Sequence, residues 1–330
     1  MGKRKGIKGK IIGLSATLIF CVALFVFLIV WFFGASYPAF FNNTTEEAKI
    51  PGLAEGISPQ GLCPVPENGD GYEFAMSGYM VDGSPSRVYL IGKDKSKYVT
   101  VTYEGKDVTT HFGGITCTGE DLFIASAKNM LRVPLSAALS AKNGGKVAAD
   151  KSFSTDINVA YCYFDADTQK LYAGEFYREK NYKTNEEHHL TVDGETNYAF
   201  IYEYSFENRE IKELPDKAIS VRALVQGVAV YGDKITLSTS YGLADSVFYT
   251  YENILGGTAS GTAKVNDTDI PLYRLDSTNL KSTLTAPCMS EELFVRDGKM
   301  YVLFESLCNK YKYFVRTRID QILSLPLSAF

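Results

Sequence analysis

The 330 residues carry a net charge of −4, from 38 acidic and 34 basic side chains. All 38 acids and 29 of the bases lie beyond residue 34, so that part of the chain is near −9 and lacks the basic footprint that nucleic-acid binding requires. A hydrophobic fraction of 45% beside 22% charged residues excludes a disordered chain, and 22 Tyr with 20 Phe favour strands over helices.

Residues 1–10 read as a cytoplasmic basic tail, with Lys3, Arg4, Lys5, Lys8 and Lys10 and no acid. Residues 11–34 follow without a charge. About 20 apolar residues span a bilayer, so this run predicts a transmembrane helix, and the basic flank predicts a single-pass topology with the amino terminus inside. The alternative is a cleaved signal, with Gly34 and Ser36 at the cleavage site, although a signal core is usually only ~7 to 15 residues long. Residues 35–49 read as a polar stalk, and 50–330 as the folded domain in the cell exterior.

Five stretches of that domain share one pattern: a small or polar opening, a strand, a turn rich in Gly or Asp, and a returning strand. They are Pro59–Tyr79, Phe112–Ser126, Asn158–Phe176, Val225–Gly242 and Met289–Ser306. The turns, among them Gly119-Glu120-Asp121, Asp165-Ala166-Asp167 and Asp297-Gly298, suit left-handed or Asx-type backbone. Outer strands are predicted at 87–91, 98–103, 130–135, 198–206, 247–251, 272–275 and 313–319. Insertions at 178–195, which holds His188 and His189, and at 256–269 read as exposed loops. Short hairpins cannot bury a core alone, and a closed ring of them removes the sheet edges. The prediction is therefore an all-β protein, a five-bladed β-propeller with room for a sixth blade, preceded by one transmembrane helix.

Three motifs carry a resemblance: Pro59-Gln60-Gly61-Leu62, His111-Phe112-Gly113-Gly114-Ile115 and Phe304-Glu305-Ser306. They resemble a group of uncharacterised bacterial exported or membrane-anchored propellers, and the resemblance implies fold and export. The Gln60-Gly61-Leu62 opening is also similar to the five-bladed plant-type glutaminyl cyclases. That likeness implies architecture and not cyclase chemistry, because Ala75-Met76 stands where that family has an acid and the only tryptophan is Trp31.

In a propeller each inner strand starts, and the next strand ends, on one face. This gathers Gln60, His111, Asn158, Gln226 and Glu291 with Tyr79, Glu175, Tyr241 and Glu305 around one mouth of the central channel. A concave mouth with converging polar groups is the default binding site. Glu175, Glu305 and Asn158 offer oxygens for a divalent cation, and His111 beside Glu305 or Glu291 offers a general base. The same residues would equally serve to bond neighbouring blades and hold the ring closed. No motif requires a cofactor or a metal site. Cys288 and Cys308 are candidates for a disulfide, and Cys63, Cys117 and Cys162 for buried packing. The expected function is a membrane-anchored, extracytoplasmic module that binds a small ligand or a protein. The alternative is a propeller-type hydrolase, lactonase or acyltransferase using the same mouth.

Overall fold

A computed structural model describes residues 16–28 and 36–330. The chain divides into two compact units, Met1–Pro38 and Ala39–Phe330. In the first, residues 16–28 are helical. No helix among the described residues is long and apolar enough to cross a membrane. The expected tail 1–10 and both ends of the expected span, 11–15 and 29–34, lie outside the described residues.

The second unit is nearly all-β and has a β-propeller arrangement. Four blades are antiparallel and consecutive in the chain. The first is Ile57–Pro64, Phe74–Met80, Arg87–Ile91 and Ser96–Tyr103. The second is Phe112–Cys117, Asp121–Ser126, Asn129–Pro134 and Lys151–Ser154. The third is Val159–Asp165, Lys170–Glu175, Ala199–Glu207 and Lys217–Val221. The fourth is Val225–Tyr231, Lys234–Thr239, Ser246–Glu252 and Leu280–Ala286. A composite sheet follows, in which Ser290–Arg296, Lys299–Phe304 and Gln321–Pro326 are completed by Thr45–Lys49 from the other end of the chain. Part of the expected stalk is thus a structural strand, and a domain cut at residue 50 would lose it.

Successive inner strands approach closely. A methyl group on Gly61 would stand 2.5 Å from the Ile115 nitrogen, and one on Gly114 would meet the backbone of Tyr161 and Cys162, so only glycine permits these distances. The inner strand of the composite sheet lies against those of the fourth and first blades. Apolar side chains fill the spaces between blades. Cys63, Val88, Leu90, Phe112, Ile115 and Ile124 pack between the first and second, and Phe123, Met130, Cys162, Leu171 and Tyr202 between the second and third. Cys63 and Cys162 act there as small hydrophobes, as their position in the inner strands predicts.

Three strand expectations are corrected. Residues 313–319 form no strand; the chain there turns repeatedly, with Tyr311 and Lys312 N–H donating to the Cys308 carbonyl and Phe314 N–H to that of Tyr311. The strand Thr268–Arg274 pairs in parallel with Lys217–Val221 and widens the third blade, while the outer strand of the fourth is Leu280–Ala286. Part of the supposed loop 256–269 is the strand Gly261–Val265, paired with Thr268–Arg274.

Candidate functional site at the strand-start mouth

Each of the five inner strands carries a register shift near its start: between Pro59 and Gly61, Phe112 and Ile115, Val159 and Tyr161, Val225 and Gly227, and Ser290 and Leu293. A bulge bends the strand and frees backbone groups from the ladder. An inner strand also has an open edge toward the channel, so its N–H groups there need other acceptors. One side chain supplies three. Glu292 accepts from Leu62 N–H at 2.8 Å and Ile115 N–H at 2.9 Å on one oxygen, and from Cys162 N–H at 2.8 Å on the other. It is fully buried and ties the composite sheet to the first three blades. Complete burial pushes its pKa up to about 8, while the three N–H groups oppose that rise.

Its neighbour Glu291 joins a different network. Gln226 Nε2 donates to Glu291 at 3.4 Å, and Gln60 Nε2 and Ser58 Oγ donate to Glu305 at 3.2 and 2.7 Å. Burial raises the pKa of both carboxyls. The charge on Glu305 and a hydrogen bond to it raise Glu291 further, whereas on Glu305 the bonds from Ser58, Glu291 and Gln60 and the Lys310 ammonium oppose the rise. The two carboxyls therefore form a coupled pair in which burial disfavours charge on both, and the nearby Glu305 charge disfavours it further on Glu291.

The network continues outward. His111 Nε2 lies 2.8 Å from Gln60 Oε1, and its ring packs 4.2 Å from that of Tyr79. Lys310 Nζ donates to the Tyr79 hydroxyl at 3.4 Å. Although His111 is exposed as a residue, crowding of its ring, with the Lys310 charge added, lowers its pKa to about 4. The imidazole is thus neutral at neutral pH and bonds Gln60 through an N–H. Two non-glycine residues with positive φ border the mouth: Leu224 at 66° and Met289 at 68°, each preceding an inner strand. Backbone held in this region is strained and tends to mark functional sites.

Of the expected mouth residues, the structure links Gln60, His111, Gln226, Glu291 and Glu305, together with Tyr79. Glu175 instead accepts from His188 Nδ1 at 2.5 Å and from Phe200 N–H at 2.9 Å, and His188 stacks on Phe200 at 4.1 Å. His188 is therefore buried rather than in an exposed loop: the insertion turns inward because Glu175 provides a partner for its ring. Asn158 is exposed, and Tyr241 stacks on Phe176 beneath the Arg178 guanidinium. Glu175, Glu305 and Asn158 do not combine into the expected cation site, since both carboxylates are engaged by protein donors. Among the described residues, no group of three or more His, Cys, Asp or Glu is arranged to hold a metal. Cys288 and Cys308 are separate free thiols, the latter 3.7 Å from Ser58 Oγ.

Sequence reasoning found Glu291 but missed Glu292 and Lys310. The one signal for Glu292 was a second acid beside Glu291 at the start of an inner strand, SEELFVR. The opposite face of the ring, where the inner hairpins turn, holds a cavity of about 650 Å³ bordered by Val65, Tyr72, Thr118, Phe164 and Arg296. Its lining contains no bonded carboxyl pair.

No family model matches the chain, and no curated protein does. Among solved structures, the chain is similar to the PQQ-bound form of aldose sugar dehydrogenase from Streptomyces coelicolor, at 13% identity over 86% of this chain and 97% of that one, with a TM-score of 0.47. It is similar to an oxidoreductase (glucose dehydrogenase) from Thermus thermophilus, at 13% identity over 86% and 99% of the two chains, with a TM-score of 0.46. A third similarity is to the WD40 β-propeller domain of Doa1, at 10% identity over 79% and 69%, with a TM-score of 0.35. At these values no residue acquires a role from a neighbour.

Proposed function

We propose that this chain is a binding module: a five-bladed propeller, with the composite sheet as its fifth blade, that takes its ligand at the strand-start mouth. The observation that carries this reading is the bonded series from Gln226 through Glu291, Glu305, Gln60 and His111, which brings polar groups from the first, second and fourth blades and the composite sheet to one face. The uncharged run 11–34 behind a basic tail supports a membrane anchor, with the propeller outside and the amino terminus in the cytoplasm.

The test is a thermal-shift screen of the full-length protein in detergent against peptides, sugars, amines and divalent cations. A ligand of the native state raises Tm by linkage. Expected is at least one compound whose shift disappears in Glu305→Gln; no such compound in any class would overturn the reading. One observation favours a second reading, an enzyme. Glu291 and Glu305 are buried, coupled carboxyls whose pKa values are both raised, an arrangement suited to proton transfer. That reading expects turnover that is lost in Glu305→Gln while the fold survives.

A further inference from the structure

The loop between Lys299–Phe304 and Gln321–Pro326 has a composition unlike the rest of the acidic domain. From Ser306 to Ile319 it holds Lys310, Lys312, Arg316 and Arg318 and no acid. The loop is fixed from within. Cys308 N–H donates to the Glu305 carbonyl at 2.9 Å, Ile319 N–H to Ser306 Oγ at 3.1 Å, and Val315 is buried against Cys288 and Met289. From this base Lys310 reaches toward the mouth. Its ammonium lies 4.9 Å from the centre of the Tyr311 ring, 5.9 Å from that of Tyr79 and 3.4 Å from the Tyr79 hydroxyl.

Both rings are within range of a cation–π attraction. The Lys310 charge acts on both Glu305 and His111, and Tyr79 stacks on the His111 ring. These features suit one ligand chemistry. A bare metal ion would need converging ligands of the kind that no described group provides. An anion would meet the carboxylate. An alkylammonium provides N–H donors for the phenol oxygen and a compact positive charge for two aromatic faces, the contacts that the exposed Lys310 ammonium already makes.

We infer that the strand-start mouth is a seat for a primary alkylammonium, and that Lys310 occupies it as a tethered stand-in for the ligand amine. The inference rests on the reading of this mouth as the binding site and names the ligand class it takes. An external amine must displace Lys310, so its apparent affinity is reduced by the fraction of time the seat is filled. Removing the lysine side chain removes that competition. Partial burial works against the ammonium, but the hydroxyls of Tyr311 and Tyr79 more than offset it and raise the Lys310 pKa, consistent with a seat that favours the charged amine.

The experiment uses the full-length protein, n-butylammonium chloride as ligand, and equal concentrations of sodium chloride and tetramethylammonium chloride as controls. Two further arms separate possible sources of the amine: N-acetyl-lysine methylamide for a polypeptide side chain, and 1,5-diaminopentane for a free diamine. In Lys310→Ala, butylammonium at about ten times its Kd should raise Tm by about 3 °C over the salt controls. Wild type should need several-fold more amine for the same shift. Lys310→Met, which keeps a long side chain at that position, and the double variant Lys310→Ala with Glu305→Gln should not respond. A second readout does not depend on stability. The chain has only three histidines, so His111 can be followed by proton NMR. Its pKa should rise from about 4 in Lys310→Ala and fall again when butylammonium binds. Equal responses in all four proteins, or no response and no movement of His111, would overturn the ammonium seat. If a compound of another class loses its shift in Glu305→Gln while Lys310→Ala ignores every amine, the ammonium seat is overturned and the mouth remains the site.

Discussion

Glu291 and Glu292 are adjacent on one strand, both carboxyls and both buried, yet they do different work. Glu292 turns to the channel axis and accepts only backbone N–H groups, drawn from three other inner strands. Glu291 turns to the mouth and meets side chains, Gln226 and Glu305. A carboxyl surrounded by backbone donors serves the ring, because those donors are present whatever the ligand. One surrounded by titratable and amide side chains can change partners, and it belongs to the site. The bulge between Ser290 and Leu293 allows two consecutive residues to diverge in this way.

The largest effect separating the two should come from Glu292→Ala. Three buried N–H groups lose their acceptor, and at about 1–3 kcal/mol for each unsatisfied group the loss should be about 3 kcal/mol or more, measured by urea denaturation. Glu291→Ala leaves no backbone group orphaned and should cost clearly less. Equal losses would end the distinction.

Next is Gly114→Ala. The added methyl would press on the Glu292 carboxylate and on the backbone of the third blade, neither of which can withdraw like a flexible side-chain tip. A cost of about 2 kcal/mol is expected, with weaker hydrogen-exchange protection at Cys162. Ordinary protection at Cys162 in this variant would mean that the inner strands are more loosely held than their distances imply.

The pH dependence follows from the raised pKa of Glu292. Its folded value is about 8 against a reference of 4.5, so the folded state binds the proton more tightly than the unfolded chain does. That contribution is complete below about pH 4.5 and is lost as pH rises through about 8. Tm should therefore fall between about pH 4.5 and about pH 8 and level off above that. In Glu292→Gln the same range should be flatter. A Tm that rises across it would show that the three N–H donors outweigh burial and that Glu292 is charged at neutral pH.

The smallest effect should be an asymmetry within the carboxyl pair. Burial and the nearby Glu305 charge favour the neutral form of Glu291, so Glu291→Gln should change stability by less than about 1 kcal/mol. Glu305→Gln removes the charge and one of the two acceptor oxygens that Ser58, Gln60 and Glu291 surround, and should cost about 1–2 kcal/mol more. A reversed order would assign the charge to Glu291.

These contrasts also divide what was legible in the chain from what was not. The inner hairpins could be read because their turns depend on local backbone chemistry: Gly119 has φ 95° and Asp297 φ 52° where Gly and Asp turns were expected. Residues 313–319 were misread because Tyr, Phe and Val favour strands by composition, whereas hydrogen bonds to the Cys308 and Tyr311 carbonyls set the chain in turns. His188 looked exposed among polar neighbours until a partner 13 positions away, Glu175, was brought against it.

The sequence by itself determined the repeated antiparallel units, the acidic character of the domain and most residues at the starts of the inner strands, because alternation, turn residues and charge are local properties. The tertiary structure alone decided that Thr45–Lys49 completes the last sheet, that Glu292 bonds four parts of the ring together, and that Lys310 reaches the Tyr79 hydroxyl. Each of these joins positions far apart in the chain, and such contacts depend on the closed path of the backbone rather than on any neighbouring residue.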